Sequence, residues 1–152
     1  STAGDWKAEG MGDLKLTYQV DGGDLVQAGE ASSQMKMTLK KLGLPPEIIR
    51  KASVCMYEGE INMVIHADGG RVEVEVGMDA ITIRLIDQGP GIPDVDRAME
   101  EGYSTAGDVA RDLGFGAGMG LPNMKRYSDE MRIDTTVGVG TTVTMRIDIN
   151  NG

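Results

Sequence analysis

Hydrophobic and polar residues alternate along several stretches of the chain, the pattern of β-strands with one buried face. These stretches are 14–20, 72–76, 81–85 and 142–149, and 131–136 is predicted as a further short strand. Between the first two, apolar residues recur at spacings of three and four from Ala28 to Leu42, which predicts an amphipathic helix ending at Gly43.

A second, longer helix is predicted from Pro45 to about Ala67, because proline is tolerated in a first turn. Its apolar residues cover most of its circumference, so we expect it to be central and mostly buried. Glu58, Asn62 and His66 lie four residues apart on one of its faces. For His66 a structural role near the helix end is favoured over proton transfer. A shorter helix is predicted from near Gly118 to Ser128.

The predicted order of elements is β-α-α-β-β-α-β-β. Because the longer strands are apolar on one face only, helices should cover one face of the sheet and water the other. We therefore predict an α+β fold, a two-layer α/β sandwich with a mixed sheet. One domain is expected over 14–152, after a flexible extension at 1–13.

Composition narrows the classes of function. The chain has 152 residues, 40% hydrophobic and 26% charged, with a net charge of −9. This charge argues against non-specific nucleic-acid binding and against binding to anionic membranes. A single cysteine, Cys55, excludes an internal disulfide, suits a reducing cytosol and is expected in the core. With no apparent signal peptide or membrane span, we expect a cytoplasmic protein.

Two glycine clusters frame the stretch from Asp87 to Gly120. Glycines let a ligand approach the main chain, and free N–H groups beside a helix N-terminus attract anions. We therefore expect a nucleotide-phosphate pocket with a mobile lid. The spacing fits neither a dinucleotide fingerprint, since Met119 and Leu121 stand where it needs glycine, nor a P-loop. One glycine run alone is equally compatible with a turn that binds nothing.

Four segments together resemble the Bergerat-fold (GHKL) ATP-binding superfamily of DNA gyrase, heat-shock chaperones, the mismatch-repair ATPase and histidine kinases. They are Glu58–Asn62, Asp87–Gly91, Gly114–Gly120 and Gly138–Thr141, and the resemblance covers about residues 14–149. Within the superfamily, 102–105 and 120–126 look most like the bacterial anti-sigma regulatory kinases of the RsbT and SpoIIAB type.

The resemblance implies a role for each matching residue. Asp87 should accept a hydrogen bond from the adenine amino group, with Thr141 supporting the same edge. Asn62 should bind Mg²⁺ through its amide oxygen, and Glu58 should act as general base or polarising group. The remaining nucleotide-binding residues implied are Gly89, Gly91, Ser104, Thr105, Gly114, Gly116, Gly118, Met119 and Gly120.

Simpler interpretations remain beside these roles. Asp87 could cap a turn, Asn62 could satisfy neighbouring backbone, and Glu58 could be a surface charge. Lys125 and Arg126 could neutralise phosphate or simply face solvent, and so could Arg111, to which the resemblance assigns no role.

Two residues depart from the superfamily pattern. Gly59 stands where alanine is usual and costs up to about 1 kcal/mol of helix propensity. Glu60 adds a second acid where an apolar residue is commoner. Both weaken the expectation of catalysis more than that of ATP binding.

The resemblance implies a Mg·ATP-dependent serine/threonine protein kinase that phosphorylates a small antagonist protein. The alternative is a non-catalytic, ATP-dependent anti-sigma factor or partner-switch module that binds a sigma factor. An ATPase fragment of a sensor kinase is a third option, against which the missing phosphoacceptor region argues. A homodimer is left open.

Overall fold

Five strands and four helices make up the part of the chain that the computed structural model describes, residues 13–102 and 119–149. In chain order they are β1 (Leu14–Asp21), α1 (Glu30–Lys41), α2 (Pro46–His66), β2 (Gly69–Val76), β3 (Ala80–Asp87), α3 (Val95–Ala98), α4 (Gly120–Tyr127), β4 (Glu130–Thr136) and β5 (Gly140–Asp148). The predicted order is confirmed, and the short α3 is an addition. Its start is fixed by Asp94, whose side chain accepts a hydrogen bond from the Arg97 N–H.

The strands form one sheet in the order β1-β2-β3-β5-β4. The two-layer α+β fold is confirmed. The sheet was expected to be mixed, but within the described residues all four neighbouring pairs are antiparallel. The connection between β1 and β2 explains why this pair is antiparallel. It contains two helices, α1 and α2, whereas a connection through a single crossover helix would place the two strands parallel.

The core lies between the helices and the apolar face of the sheet. Alternation places Val72 and Val74 of β2 and Ile81 and Ile83 of β3 on that face, all at most 1% exposed. Further buried residues come from the helices and β5: Met35, Leu39, Cys55, Met56, Leu121, Met124, Val143, Met145 and Ile147. Each large apolar side chain buried in this way stabilises the fold by about 1.5–3 kcal/mol.

The opposite face of the sheet is polar, as predicted, but it is not uniformly open to water. Arg146 of β5 pairs with Asp148 at 2.7 Å and with Glu130 at 3.4 Å. Thr82 of β3 and Thr144 of β5 are buried, with Thr82 opposite Arg146. Long side chains on neighbouring strands can cover short ones through their methylene groups.

Gly59 has a packing explanation. A methyl group at this position would lie 2.3 Å from the Leu85 side chain of β3, too close for any real contact. Glycine therefore lets α2 lie directly on the sheet, and this contact offsets the loss of helix propensity. Among the described residues, no helix combines the length and apolarity that crossing a bilayer requires.

Candidate functional site

Helix α2 forms the floor of the candidate site. Glu58 and Asn62 are both partly exposed on it and lie one turn, about 6 Å, apart along its axis. Their neighbours Gly59 and Ile61 are buried, so the helix presents these two polar side chains beside a packed face.

The Glu58 carboxylate meets the beginning of α4. Its Oε2 accepts a hydrogen bond from Asn123 Nδ2 at 2.8 Å. A methyl group placed at Gly120 would lie 4.0 Å from Oε1, so the start of α4 runs alongside that oxygen. No donor among residues 13–102 and 119–149 bonds Oε1. Within the described residues, one carboxylate oxygen is thus held by a hydrogen bond and the other accepts none.

The Asn62 side chain is half-buried, and its amide makes no hydrogen bond with another described residue. An amide oxygen in this state is a suitable hard ligand for Mg²⁺, which usually takes one or two protein ligands with phosphates and waters. No group of three or more His, Cys, Asp or Glu among the described residues could hold a metal. A single amide oxygen of this kind fits Mg²⁺ that takes its other ligands from phosphate groups and water.

Asp87 ends β3, and one of its two carboxylate oxygens accepts hydrogen bonds from the backbone. Its Oδ1 accepts the Gly89 N–H at 2.9 Å and the Thr141 N–H at 3.2 Å. Oδ2 makes no hydrogen bond with another residue in 13–102 or 119–149. Because an ionised carboxylate only accepts hydrogen bonds, the open oxygen suits an amino group such as the exocyclic amine of adenine.

The loop after Asp87 packs on the C-terminal end of α2. A methyl group at Gly89 would lie 2.6 Å from Cβ of Ala67, so only glycine allows this approach. Gly91 has φ +81° and follows in the same loop. Ala67 lies five residues, about 8 Å, beyond Asn62 along the helix direction. The floor therefore runs from α4 beside Glu58, past Asn62, to the Asp87 loop.

This arrangement agrees with a comparison against known families. Residues 54–151 match the family described as histidine kinase-, DNA gyrase B- and HSP90-like ATPase, which is more than half of the chain. The chain belongs to this ATPase family. The matched region contains Glu58, Asn62, Asp87 and Thr141.

Relatives of this chain include a protein kinase and anti-sigma factors, all from bacteria. The serine/threonine-protein kinase RsbT of Bacillus subtilis is 33% identical over 108 residues, covering 68% of this chain and 75% of the relative. An anti-sigma F factor of Clostridium beijerinckii is 31% identical over 129 residues, covering 80% and 87%. Another anti-sigma F factor, from Pasteuria penetrans, is 36% identical over 95 residues, covering 58% and 60%.

The sequence analysis did not identify Thr135 as a site residue. Its hydroxyl accepts the Ile92 N–H at 2.9 Å and lies 2.8 Å from the Thr141 hydroxyl. The two threonines stand opposite each other on β4 and β5. Thr135 therefore links the Asp87 loop to the hydroxyl predicted to support adenine. Its signal was the matched pair of threonines flanking a Gly-Val-Gly turn, which becomes visible only once the hairpin register is known.

Glu60 has a structural role that the sequence did not indicate. It is 3% exposed and accepts bonds from the N–H groups of Gly29, Ala31 and Ser32 at 2.9–3.2 Å and from the Ser32 hydroxyl at 2.6 Å. Gly29 caps α1 without a side chain, so Glu60 supplies the cap from α2. The second acid is therefore tied to α1.

The remaining charged candidates lie at the margin. Arg126 is exposed and pairs with Glu101 at 2.9 Å, and Lys125 is also exposed. Burial lowers the pKa of His66 near the end of α2, which favours its neutral form there. Met119 caps α4 and Gly120 begins it, two residues after the predicted start near Gly118, and their contact with nucleotide stays a prediction. Ser104, Thr105, Arg111, Gly114, Gly116 and Gly118 lie outside the described residues.

Helix α2 borders open cavities formed by the described residues. A groove of about 740 Å³ lies between α1 and α2, and Glu58 lines it together with Gly29, Met37 and Tyr57. A second cavity of about 700 Å³ is lined by residues at the end of α2, including His66, and by residues 88–90. Glu58 thus also lines a groove that lies outside the Asp87 loop.

Proposed function

We propose that this chain is a Mg·ATP-dependent serine/threonine protein kinase of the anti-sigma regulatory type, acting on a small antagonist protein. Membership of the ATPase family supports ATP binding, and the relative named RsbT supports the kinase class. The observation that carries the proposal is the floor formed by α2, with an open Glu58 oxygen at one end, Asn62 beside it and the Asp87 loop at the other.

At the adenine end, recognition would depend on Asp87. Its Oδ1 is held by two backbone N–H groups, so Oδ2 is presented in a fixed direction. The amino group of adenine can donate to it, whereas guanine would present a carbonyl oxygen to the same carboxylate. The Thr141 hydroxyl, held by Thr135, would complete this edge directly or through water.

At the phosphate end, Asn62 would hold Mg²⁺, and the segment leading into α4 would contact the phosphates through backbone N–H groups. Bound Mg²⁺ would neutralise charge on the phosphate oxygens. In Asn62→Ala we expect the Mg²⁺-dependent part of the ATP affinity to be lost. Calorimetry with and without Mg²⁺ checks this assignment, and an unchanged dependence would remove it.

Glu58 would be the general base. Its open Oε1 accepts the proton of a serine or threonine hydroxyl while the hydroxyl oxygen bonds to the γ-phosphorus. The bond between that phosphorus and the β–γ bridging oxygen breaks, and ADP leaves. General-base assistance of this kind is worth about 10²–10⁴-fold in rate.

Transfer of label from [γ-³²P]ATP in the presence of Mg²⁺ to candidate antagonist proteins tests the proposal. We expect label on a serine or threonine of one antagonist and a loss of at least about a hundredfold in rate in Glu58→Gln. Glu47→Gln is a matched control, because Glu47 is an exposed acid in the first turn of the same helix. If no candidate receives Glu58-dependent label, the kinase proposal is wrong.

A second candidate function is an ATP-dependent anti-sigma factor or partner switch without turnover, whose partner would be a sigma factor. It is favoured by the relatives that are named anti-sigma F factors, one of which is covered over 87% of its length. This function would use the same Asp87 site for ATP. It predicts nucleotide-dependent binding of a partner that survives Glu58→Gln.

Both candidate functions would place the protein in the cytoplasm. A single cysteine, buried in the core, suits a reducing compartment. Fractionation of the source cells with an antibody against the chain checks this, and recovery outside the cytoplasmic fraction would contradict it.

A further inference from the structure

A side chain on α4 controls one oxygen of the proposed base. Asn123 donates from Nδ2 to Glu58 Oε2 at 2.8 Å, across 65 residues of sequence. Because an ionised carboxylate only accepts, the nitrogen of the amide must face Glu58. We propose that Asn123 is a positioning residue for phosphoryl transfer, holding Glu58 so that Oε1 alone receives the proton. This inference rests on the proposed kinase function.

The contact is made between two anchored helices. On α4, Leu121 and Met124 flank Asn123 and are 6% and 0% exposed. The Cys55 thiol of α2 lies 3.7 Å from the carbonyl oxygen of Met124. Because both backbones are fixed by packing, the amide reaches Glu58 without ordering a loop.

Holding the carboxylate has a physical benefit for proton transfer. A partly exposed glutamate loses up to about 1.5–2 kcal/mol of side-chain entropy when one orientation is imposed on it. The amide of Asn123 imposes that orientation before any substrate binds, so this entropy loss does not add to the activation free energy of the reaction. Gly120 lies next to Oε1, and because it has no side chain it places no further atoms against that oxygen.

The reaction used as a probe is single-turnover release of phosphate from [γ-³²P]ATP with Mg²⁺, with water as the acceptor. Water oxygen bonds to the γ-phosphorus, its proton passes to Oε1, the bond to the β–γ bridging oxygen breaks, and phosphate and ADP form. We expect Asn123→Ala to slow this step about tenfold or more, with unchanged ATP affinity. Asn123→Leu, which keeps the volume but cannot donate, should behave in the same way.

A double-mutant cycle separates positioning from simple helix packing. If Asn123 acts through Glu58, then Asn123→Ala should have no further effect on the rate in a Glu58→Gln background. Gln19→Ala is the matched control, because it removes an exposed amide from β1 on the face of the sheet opposite the helices. It should leave the rate unchanged.

A measurement without turnover tests the contact itself. In ¹⁵N-labelled, nucleotide-free protein the side-chain amide protons of Asn123 should resonate downfield of those of an exposed amide. Glu58→Ala, which removes the acceptor, should abolish this shift. Circular dichroism establishes that each variant is folded.

The outcomes are distinguishable. A slower Asn123→Ala enzyme with no added effect on Glu58→Gln, together with the Glu58-dependent amide shift, supports the inference. The inference is overturned if Asn123→Ala slows the reaction equally in wild type and in Glu58→Gln, or if it leaves the rate unchanged. It is also overturned if the amide shift of Asn123 is the same in Glu58→Ala as in wild type. Each of these results leaves the kinase proposal intact. If the wild-type protein shows no Glu58-dependent transfer to water or to any antagonist, the kinase proposal fails and the positioning role fails with it.

Discussion

At the scale of single residues, burial makes the thiol of Cys55 unreactive. The thiol is fully buried, and its pKa is raised to about 12, mainly by desolvation and then by the negative charges of Asp129 and Glu58. Thiolate is the reactive form of cysteine. We expect the thiol to resist Ellman's reagent at pH 8 in the folded protein and to react fully in guanidinium chloride.

The raised pKa of Cys55 also makes the stability of the fold depend on pH. The thiol of an unfolded cysteine has a pKa of about 8.5, whereas the pKa of Cys55 in the folded protein is about 12. Between these values the folded state binds more protons, so the free energy of unfolding should fall as pH rises, by up to about 1.4 kcal/mol per pH unit. The decline should be smaller in Cys55→Ala, most clearly between about pH 8.5 and 10, below the range in which the tyrosines lose their protons. Equal thiol reactivity in folded and unfolded protein would contradict the account.

Individual site residues were predictable to the extent that they belong to contiguous motifs. Asp87 and Thr141 were expected near one adenine edge, and the structure brings the Thr141 N–H to Asp87 Oδ1. Thr135 and Asn123 were missed because their contacts depend on strand register and on the docking of α4 onto α2. Such contacts have no local sequence signal.

At the scale of elements, the start of α1 depends on an acid from another helix. Four donors converge on Glu60, three of them backbone N–H groups of the first turn. Glu60→Ala would leave these groups buried without an acceptor, so we expect a loss of about 2–4 kcal/mol in the free energy of unfolding. Urea denaturation at pH 7 measures it.

The matched control for this prediction is Glu47→Ala. Glu47 also lies on α2 but is exposed, with only a 3.9 Å contact to Lys51. Removing it should cost less than about 1 kcal/mol. If the two variants lose the same stability, Glu60 is not the cap of α1.

The elements themselves were largely encoded by periodicity. Strict alternation located β1, β2, β3 and β5, and spacings of three and four located α1. The four-residue α3 was missed because it is shorter than the window in which helical periodicity can be recognised. The antiparallel sheet was not recognised because alternation fixes which side chains share a face but not which strands are neighbours.

At the scale of the whole molecule, one long helix organises both the core and the site. The apolar face of α2 packs on the sheet, closely enough at Gly59 to exclude a methyl group. Its polar residues, Glu58 and Asn62, lie between α4 and the Asp87 loop. The family match, residues 54–151, includes Gly59, both polar residues, α4 and the Asp87 loop. The fold thus brings motifs that are distant in sequence to one helix.

The central claim is that this floor binds ATP and selects it by its adenine. Isothermal titration with Mg·ATP and Mg·GTP, using wild type and Asp87→Asn, measures it most directly. Asp21→Asn, an exposed aspartate on β1, is the matched control. We predict that wild type and Asp21→Asn bind ATP at least about tenfold more tightly than GTP, and that Asp87→Asn loses this preference because its amide faces the adenine amine. Equal affinity of the wild type for ATP and GTP, or no heat with either, would contradict the account.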